Sequence, residues 1–226
     1  MTEHPYRPPS LLVHVMALLI GWAFMRLLFR LSRHGLRRVP RRGGALIVAN
    51  HRSYLDPVLI HTVTTRRMHY LMDHEFFYNP RMRWAYERLG CIPVGGSHTG
   101  SEALARAAEA IERGHLLGVF PEGGVDEEGR MQPFRRGAAV LALKTGATIV
   151  PVFIAGSHEA MPKGKRVPRL FSRLSVHVGE PFSIPRSPQQ DPAIEDVEEL
   201  RDDIQRRIAS IGRAILGETP ATLIPS

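Results

Sequence analysis

The sequence predicts an α/β fold, with a mostly parallel central sheet flanked by helices and an N-terminal membrane-anchoring helix. Short apolar runs alternate along the chain with helical patterns, which is typical of a parallel sheet connected by crossover helices. These runs are apolar at nearly every position, as expected for strands that are buried on both faces. Near the N-terminus a longer apolar segment is followed closely by several arginines, and this combination predicts the anchor.

The α/β part contains six predicted strands and five predicted helices. The strands are expected at residues 45–49, 68–72, 91–94, 116–120, 148–154 and 174–178. The helices are expected at residues 57–65, 80–89, 101–113, 137–144 and 194–215. In the last of these, apolar residues recur every three or four positions, so we expect a strongly amphipathic helix that packs on the domain.

The apolar segment at residues 11–25 is interrupted only by His14. As a helix it would be roughly 22 Å long, which is shorter than the ~30 Å hydrocarbon core of a bilayer. The arginines that follow are spaced to form one basic stripe on a continuing helix, at Arg26, Arg30, Arg33 and Arg37. We therefore predict that residues 1–38 form an arm and a membrane-anchoring amphipathic helix, embedded obliquely or in one leaflet, and that residues 39–226 form the α/β domain. A full span and a buried core helix are the alternatives.

The chain of 226 residues is basic, with 30 Lys and Arg against 22 Asp and Glu and a formal net charge of +8. Such a balance indicates an anionic partner. Because many of the cations directly follow the apolar segment, a membrane surface is favoured and no nucleic-acid partner is expected. The positive-inside rule places the α/β domain at the cytoplasmic face of a membrane, such as a cell inner membrane. The single cysteine, Cys91, excludes an internal disulfide framework and a cysteine-rich zinc site.

The first candidate site follows the run at 45–49, where His51 precedes Asp56 by five positions. A neutral imidazole is the natural general base near pH 7, and a carboxylate on its second nitrogen fixes the tautomer and stabilises the imidazolium. His51 is therefore predicted to be a base and Asp56 its partner. Asp followed by Pro is also typical of a helix N-cap, and the two roles are compatible.

The second candidate site is the turn at Glu122 and Gly123, directly after the apolar run at 116–119. Parallel sheets place ligand-binding residues at the carboxyl ends of their strands, and glycine lets the backbone approach a ligand. A plain turn is the alternative. No metal site is expected, because the densest group of potential ligands has no helical ligand spacing; it consists of His69, Asp73, His74 and Glu75.

Several stretches in this order resemble the motifs of the glycerolipid acyltransferases, whose type member is 1-acylglycerol-3-phosphate acyltransferase. They are Asn50-His51 with Asp56, residues 89–94, residues 120–123, residues 134–137 and residues 149–152. The resemblance implies transfer of a fatty acyl group from acyl-CoA or acyl-carrier protein to a hydroxyl of a lysophospholipid or related acceptor. It implies no metal, no cofactor and no covalent enzyme intermediate.

The resemblance also implies roles for individual residues. By this match, His51 is the general base and Asp56 its partner. Backbone N–H groups near the His51 turn are then expected to stabilise the oxyanion of the acyl transfer. The acceptor is expected to contact Asn50, Glu122 and Gly123. Pro151 lies in the motif that is associated with the acyl donor.

Two positions depart from the family pattern. Gly96 lies where the second motif usually ends in a phosphate-binding arginine, and Val125 lies where the third motif usually has another. A guanidinium is the best side chain for binding a phosphate, so a phosphate-bearing acceptor needs another cation. Candidates are Arg130, Arg135 and Arg136. If none of these arginines binds a phosphate, two alternatives follow: the acceptor lacks an exposed phosphate monoester, or the protein binds lipid without turnover.

Overall fold

The computed structural model describes residues 10–96, 100–165, 167–189 and 191–217. Over these residues seven strands form one sheet, flanked by eight α-helices. The strands are β1 Arg30–His34, β2 Ala45–Ala49, β3 Met68–Asp73, β4 Ile92–Val94, β5 Leu116–Val119, β6 Thr148–Ala155 and β7 Arg173–Val178. The helices are α1 Leu11–Leu28, α2 Asp56–His61, α3 His74–Phe77, α4 Arg83–Leu89, α5 Gly100–Glu112, α6 Gly137–Thr145, α7 Ser157–Ala160 and α8 Ile194–Leu216. The predicted α/β fold is confirmed, and every predicted strand and helix of the α/β part is present.

The strand order is β1-β7-β6-β2-β5-β3-β4. The pairs are parallel except for β6 with β7, so β1 and β7 run opposite to the other five strands. One edge of the sheet therefore carries the ends of β2, β5 and β6 together with the beginnings of β1 and β7. We call it the carboxyl edge, and both predicted site turns lie on it.

Two apolar cores fill the two faces of the sheet. On one face, α5 and α6 pack with α8, whose residues Val197, Ile204 and Ile208 are buried. On the other face, α2 packs with the last turn of α1, through residues such as Leu59 and Met25. Strands β2 and β5 are buried at every position, which is the reason that they are apolar throughout. The expected packing of the last helix on the domain is confirmed.

The predicted basic helix through Arg37 is wrong. Helix α1 ends at Leu28, and after Phe29 the chain enters strand β1. Arg30 and Arg33 therefore lie on a strand, and Arg37 lies in a short 3-10 turn. The spacing of the arginines is compatible with a helix, but all five residues of β1 pair with the distant strand β7 instead. The α/β domain consequently begins with β1, before the predicted boundary at residue 39.

Helix α1 leaves much of its apolar surface exposed. Leu12, Leu19, Ile20 and Leu27 are each more than half exposed, whereas Met25 is completely buried against the sheet. Arg26 lies over the ring of Trp22, with Cζ 5.4 Å from the ring centroid. Among the residues that the structure describes, no helix combines the length and the apolar character needed to cross a membrane.

Candidate active site

Asn50, the first residue after β2, is completely buried. Its Nδ2 donates to the carbonyl of Ile154 at 3.0 Å, and its Oδ1 accepts from the N–H of Ile154 at 2.7 Å. The side chain thus continues the pairing of β2 with β6 beyond Ala49, the last paired residue of β2. Since both polar atoms are engaged by the protein, the structure places Asn50 beneath the turn, where it positions His51.

His51 lies across the turn from Asp56, with 3.0 Å between Nδ1 and Oδ2. Because a carboxylate can only accept, Nδ1 carries the proton and the lone pair lies on Nε2. Nε2 makes no hydrogen bond to any residue within the described ranges. The side chain is 14% exposed, and the ring of Phe120 stacks on it with 4.2 Å between centroids. The imidazole is therefore fixed in orientation while one basic nitrogen is free to accept a proton.

Asp56 is completely buried, and its Oδ2 accepts two further hydrogen bonds. They come from the N–H groups of Arg52 at 2.6 Å and Ser53 at 2.8 Å. The carboxylate therefore points back into the turn rather than along the helix that it begins. Leu55 is the N-cap of α2 and makes no side-chain cap, so the N-cap alternative for Asp56 is wrong.

Three backbone N–H groups of the turn already donate to carboxylate oxygens. That of His51 donates to Oε1 of Glu122 at 2.7 Å, and those of Arg52 and Ser53 donate to Asp56. The expectation that the turn itself supplies oxyanion donors is therefore wrong for these three groups. An oxyanion donor therefore has to be a group other than these three N–H groups.

Glu122, directly after Phe120 and Pro121 at the end of β5, is only 6% exposed. Its Oε1 accepts from His51, and its Oε2 accepts from the N–H of Gln132 at 2.7 Å. Burial raises the pKa of the Glu122 carboxyl to about 8. The two N–H donors favour the charged form and so lower this pKa, but their effect is smaller than that of burial. The carboxyl group thus holds the His51 turn to the loop that follows β5.

Gly123 lies directly beneath the guanidinium of Arg135. A Cβ at Gly123 would be 2.4 Å from Arg135 Cζ, so the guanidinium would have to move, and φ of Gly123 is +74°, which strains any residue with a side chain. The N–H of Arg135 donates to the carbonyl of Pro121 at 2.8 Å, which fixes the start of that side chain. Within the described residues Arg135 forms no ion pair. Of the three arginines predicted to replace the missing phosphate ligands, Arg135 is the one that lies beside Gly123 without an ion-pair partner among the described residues.

The other two predicted cations are engaged elsewhere. Arg130 forms an ion pair with Glu128 in the same loop. Arg136 forms an ion pair with Glu198 on α8. The structure therefore does not bring a free charge from either residue to the carboxyl edge beside His51.

The two positions that lack the expected arginines have close neighbours, which leave little space for a larger side chain. Gly96 has φ +66°, and a Cβ there would be 2.5 Å from the ring of His74. Val125 is buried, with 6% exposure. Neither position has room for an arginine directed at a ligand without a rearrangement of its neighbours.

Pro151 is buried within β6, where it pairs with Val48 rather than with a residue of the turn. Its carbonyl accepts from the N–H of Gly179 at 2.8 Å. The structure thus places Pro151 in the sheet interior, and its link to the acyl donor stays a prediction.

Sequence reasoning assigned no role to Phe120 and Gln132. Phe120 was visible as part of a motif, but its stacking on His51 depends on the alignment of β2 with β5. Gln132 contributes only its backbone N–H to Glu122, so its side chain carries no signal for this contact. Over the described residues no group of three or more His, Cys, Asp and Glu side chains is arranged to hold a metal ion.

These features place a histidine and carboxylate pair, a second buried carboxyl group and a free arginine on one edge of an α/β sheet. The family model described as "Acyltransferase" matches residues 30–155, which is more than half of the chain. The chain therefore belongs to the acyltransferase family, and the matched region begins with β1 and ends with β6.

Named relatives agree with this assignment. The chain is 30% identical over 141 residues to 1-acyl-sn-glycerol-3-phosphate acyltransferase BAT2, chloroplastic, of Brassica napus, covering 60% of this chain and 40% of the relative. It is 28% identical over 120 residues to 1-acyl-sn-glycerol-3-phosphate acyltransferase of Borreliella burgdorferi, covering 52% of this chain and 48% of the relative. The match therefore spans less than half of the length of these relatives.

The fold is also similar to a solved structure. The 1-acyl-sn-glycerophosphate (LPA) acyltransferase PlsC from Thermotoga maritima matches with a TM-score of 0.71 and 22% sequence identity. The match covers 91% of this chain and 81% of that structure. At this identity the similarity supports the fold, and the chemistry has to be argued from the residues of this chain.

Proposed function

We propose that this protein transfers a fatty acyl group from acyl-CoA or acyl-carrier protein to a hydroxyl of a lysophospholipid or related acceptor. The observation that carries this proposal is the pair of His51 and Asp56, with 3.0 Å between Nδ1 and Oδ2. A general base needs a free lone pair within reach of the proton it takes, and a fixed tautomer. The buried carboxylate of Asp56 fixes the tautomer of the imidazole, and Nε2 of His51 supplies the lone pair.

In the proposed reaction the acceptor hydroxyl donates a hydrogen bond to Nε2 of His51. The imidazole takes the proton while the hydroxyl oxygen attacks the thioester carbonyl, whose electron pair moves to its oxygen. When this intermediate collapses, the carbon–sulfur bond breaks and the thiolate receives the proton from the imidazolium. Asp56 stabilises the imidazolium throughout, because its buried charge lies at Nδ1. No acyl-enzyme and no cofactor enter this sequence.

Glu122 acts in this proposal by holding the turn. Its carboxyl group joins the backbone of His51 to that of Gln132, so the turn cannot move away from the loop after β5. Gly123, next to it, brings the Arg135 guanidinium close to the backbone. Because Arg135 is exposed and unpaired among the described residues, it can attract the anionic part of a substrate without first breaking an ion pair.

We also infer that the protein works at the cytoplasmic face of a membrane, with α1 lying in the interface. The support is the exposed apolar surface of α1, and the position of Arg26 over Trp22, since such residues favour the boundary between headgroups and acyl chains. A second exposed apolar group adjoins it. Phe171 is 65% exposed, and its N–H donates to the carbonyl of Leu28 at 2.7 Å.

The proposal is tested by an acceptor screen with purified protein in mixed micelles. Labelled acyl-CoA and labelled acyl-carrier protein are each incubated with a panel of lysolipids, and product formation is compared between the wild type and His51→Ala. We expect transfer by the wild type from at least one donor to at least one acceptor, and its loss in the variant. Lipid binding without transfer by the wild type would replace this proposal with that of a lipid-binding protein.

An acceptor without a phosphate monoester is a second candidate. The glycine at position 96 and the buried valine at position 125 favour it, because neither supplies a phosphate ligand. Lysophosphatidate and monoacylglycerol with the same acyl chain separate the two candidates. Faster transfer to monoacylglycerol would assign the acceptor class without a phosphate monoester.

A further inference from the structure

The strands β1 and β7 carry polar pairs on the face beside the end of α8. The register pairs Arg30 with Arg173, Ser32 with Ser175, and His34 with His177. Neighbouring strands lie about 4.8 Å apart, so the two side chains of each pair are adjacent. The rings of His34 and His177 stack with 4.5 Å between centroids, which confirms the common face. Because both strands begin at the carboxyl edge, the arginine pair lies on the edge that carries His51.

A groove of about 550 Å³ connects this arginine pair to the His51 turn. Arg30, Arg173 and Arg52 line it, and Arg52 is the residue directly after His51. Its walls include the apolar side chains of Ile215 and Leu216 at the end of α8. This volume is in the usual range for small-molecule sites. The groove is therefore large enough for part of a substrate, and it reaches Arg52, the neighbour of the candidate base in the sequence.

The positive charge in the groove is not compensated by ion pairs within the described part of the chain. Arg30 and Arg173 form no ion pair, and the Nε of Arg52 donates to a backbone carbonyl, that of Gly129. Glu159 also lines the groove but pairs with none of the three. Like charges at directly paired strand positions are destabilising. Such an arrangement becomes favourable when an anion lies between the arginines.

We propose that Arg30, Arg52 and Arg173 form a phosphate-binding subsite for a substrate of the acyl transfer proposed above. Guanidinium groups bind phosphate oxygens in pairs, which suits two adjacent arginines and a third at the turn. The subsite lies on the β6, β7 and β1 side of β2, whereas Gly96 and Val125 follow β4 and β5 on the other side. It rests on the proposed function for the identity of the substrate. The phosphate belongs either to the acceptor or to the pantetheine-bearing donor.

The test measures binding of single substrates to the full chain by isothermal titration. The probes are CoA, a short-chain lysophosphatidate, and the monoacylglycerol with the same chain. The variants are Arg30→Gln with Arg173→Gln, and the matched control Arg186→Gln. Arg186 pairs with Glu112 at 3.3 Å near the opposite edge of the sheet, so the control removes a cation away from the groove. Because each probe is titrated alone, binding is measured whether or not the protein turns over.

We expect the double variant to bind one phosphate-bearing probe at least tenfold more weakly, while monoacylglycerol binding and the control change less than twofold. Weaker CoA binding by the double variant would show that the subsite binds a phosphate of the acyl donor. Weaker lysophosphatidate binding would show that it binds the phosphate of the acceptor. Unchanged binding of both phosphate-bearing probes overturns the proposal, as does a failure of the wild type to bind either of them. A failure of acyl transfer in the screen, with these affinities as expected, would overturn the proposed function and leave the subsite in place.

A stability measurement separates this role from a structural one. If the arginines serve a ligand, their replacement relieves repulsion, and the melting temperature of the unliganded double variant is unchanged or higher. A clear fall in melting temperature, with monoacylglycerol binding lost as well, would show that the pair maintains the fold and would overturn the proposal. Replacement of both residues by lysine keeps the charge but not the planar guanidinium, so it is expected to restore only part of the affinity.

Discussion

The backbone N–H of His51 donates to Oε1 of Glu122 across 2.7 Å, although the two residues are 71 positions apart. The carboxyl group of Glu122 therefore contacts the main chain of His51 rather than its imidazole, and it does not compete with Asp56 for Nδ1. As a result, the two acidic residues of the site have separate tasks. We therefore expect Asp56 to fix the tautomer of the imidazole and Glu122 to fix the position of the His51 backbone.

Replacement of His51 by alanine is expected to lower kcat by about 10²–10⁴ with little change in stability, since general-base help is of this size. The measurement is steady-state acyl transfer, with circular dichroism to verify the fold. His115→Ala is a suitable control, because His115 precedes β5 at the opposite edge of the sheet. An activity of His51→Ala within a few-fold of the wild type would exclude His51 as the base.

Replacement of Asp56 by asparagine and by alanine should have different effects on stability. Asparagine keeps an oxygen that can accept from Arg52 and Ser53, but it loses the charge that stabilises the imidazolium, so kcat is expected to fall about 10²–10⁴-fold. Alanine also leaves the buried N–H of Ser53 without a partner, at a cost of about 1–3 kcal/mol, and the partly buried N–H of Arg52 at a smaller cost. Urea unfolding of both variants tests this. Equal stability of the two would contradict the hydrogen-bonding role.

The pKa of Glu122 predicts a pH dependence of stability. It is raised to about 8 in the folded protein, above its unfolded value of about 4.5, so the folded state binds more protons between these values. Stability therefore falls as pH rises from about 5 to 8, by up to ~1.4 kcal/mol per pH unit. Glu122→Gln removes this titration. The difference in unfolding free energy between wild type and variant should shrink or reverse over this range, and a constant difference would contradict the raised pKa.

Introduction of the missing arginine at position 96 should not create a phosphate site. The backbone at Gly96 has positive φ, and a Cβ would contact the His74 ring, so Gly96→Arg is expected to cost about 1–3 kcal/mol and not to lower KM for lysophosphatidate. Gly164→Ala provides the control for backbone strain alone, because Gly164 also has positive φ but has no atoms within 4 Å of its Cβ position. A lower KM in Gly96→Arg would show that His74 moves readily.

Membrane binding through α1 predicts a sensitivity to charge on its exposed side. Leu19→Asp is expected to reduce co-flotation with anionic vesicles at least tenfold, because burial of a leucine is worth about 1.5–3 kcal/mol. Ile194→Asp is the matched control, since Ile194 is also exposed but begins α8. Equal flotation of both variants would exclude α1 as the contact surface.

The continuous apolar runs were sufficient to predict the central strands, because burial on both faces leaves no polar positions. Ala45–Ala49 was predicted with its observed bounds. In contrast, β1 alternates exposed and partly buried residues, and its spacing of arginines also fits a helix. Only pairing with β7, more than a hundred residues later, distinguishes the two.

At the site, residue types could be predicted but not the partners of individual atoms. His51 with Asp56 was predicted as a pair, and the two residues are in contact. Asn50 was expected to touch substrate, and the bonds it makes to the backbone of Ile154 depend on how β2 aligns with β6. Likewise, no spacing in the sequence indicates that Arg130 and Arg136 pair with glutamates while Arg135 does not.

The connection from α1 to β1 consists of a single residue, Phe29, which is 3% exposed. Because this connection is short and buried, a rotation of α1 also rotates the sheet. A helix attached through a flexible linker would let the sheet change its orientation relative to the helix. The buried one-residue connection instead fixes the orientation of α1 relative to the sheet. If α1 lies in a membrane interface as proposed, the angle of α1 also determines the angle of the carboxyl edge, and the fold then determines the height of His51 above the lipid headgroups.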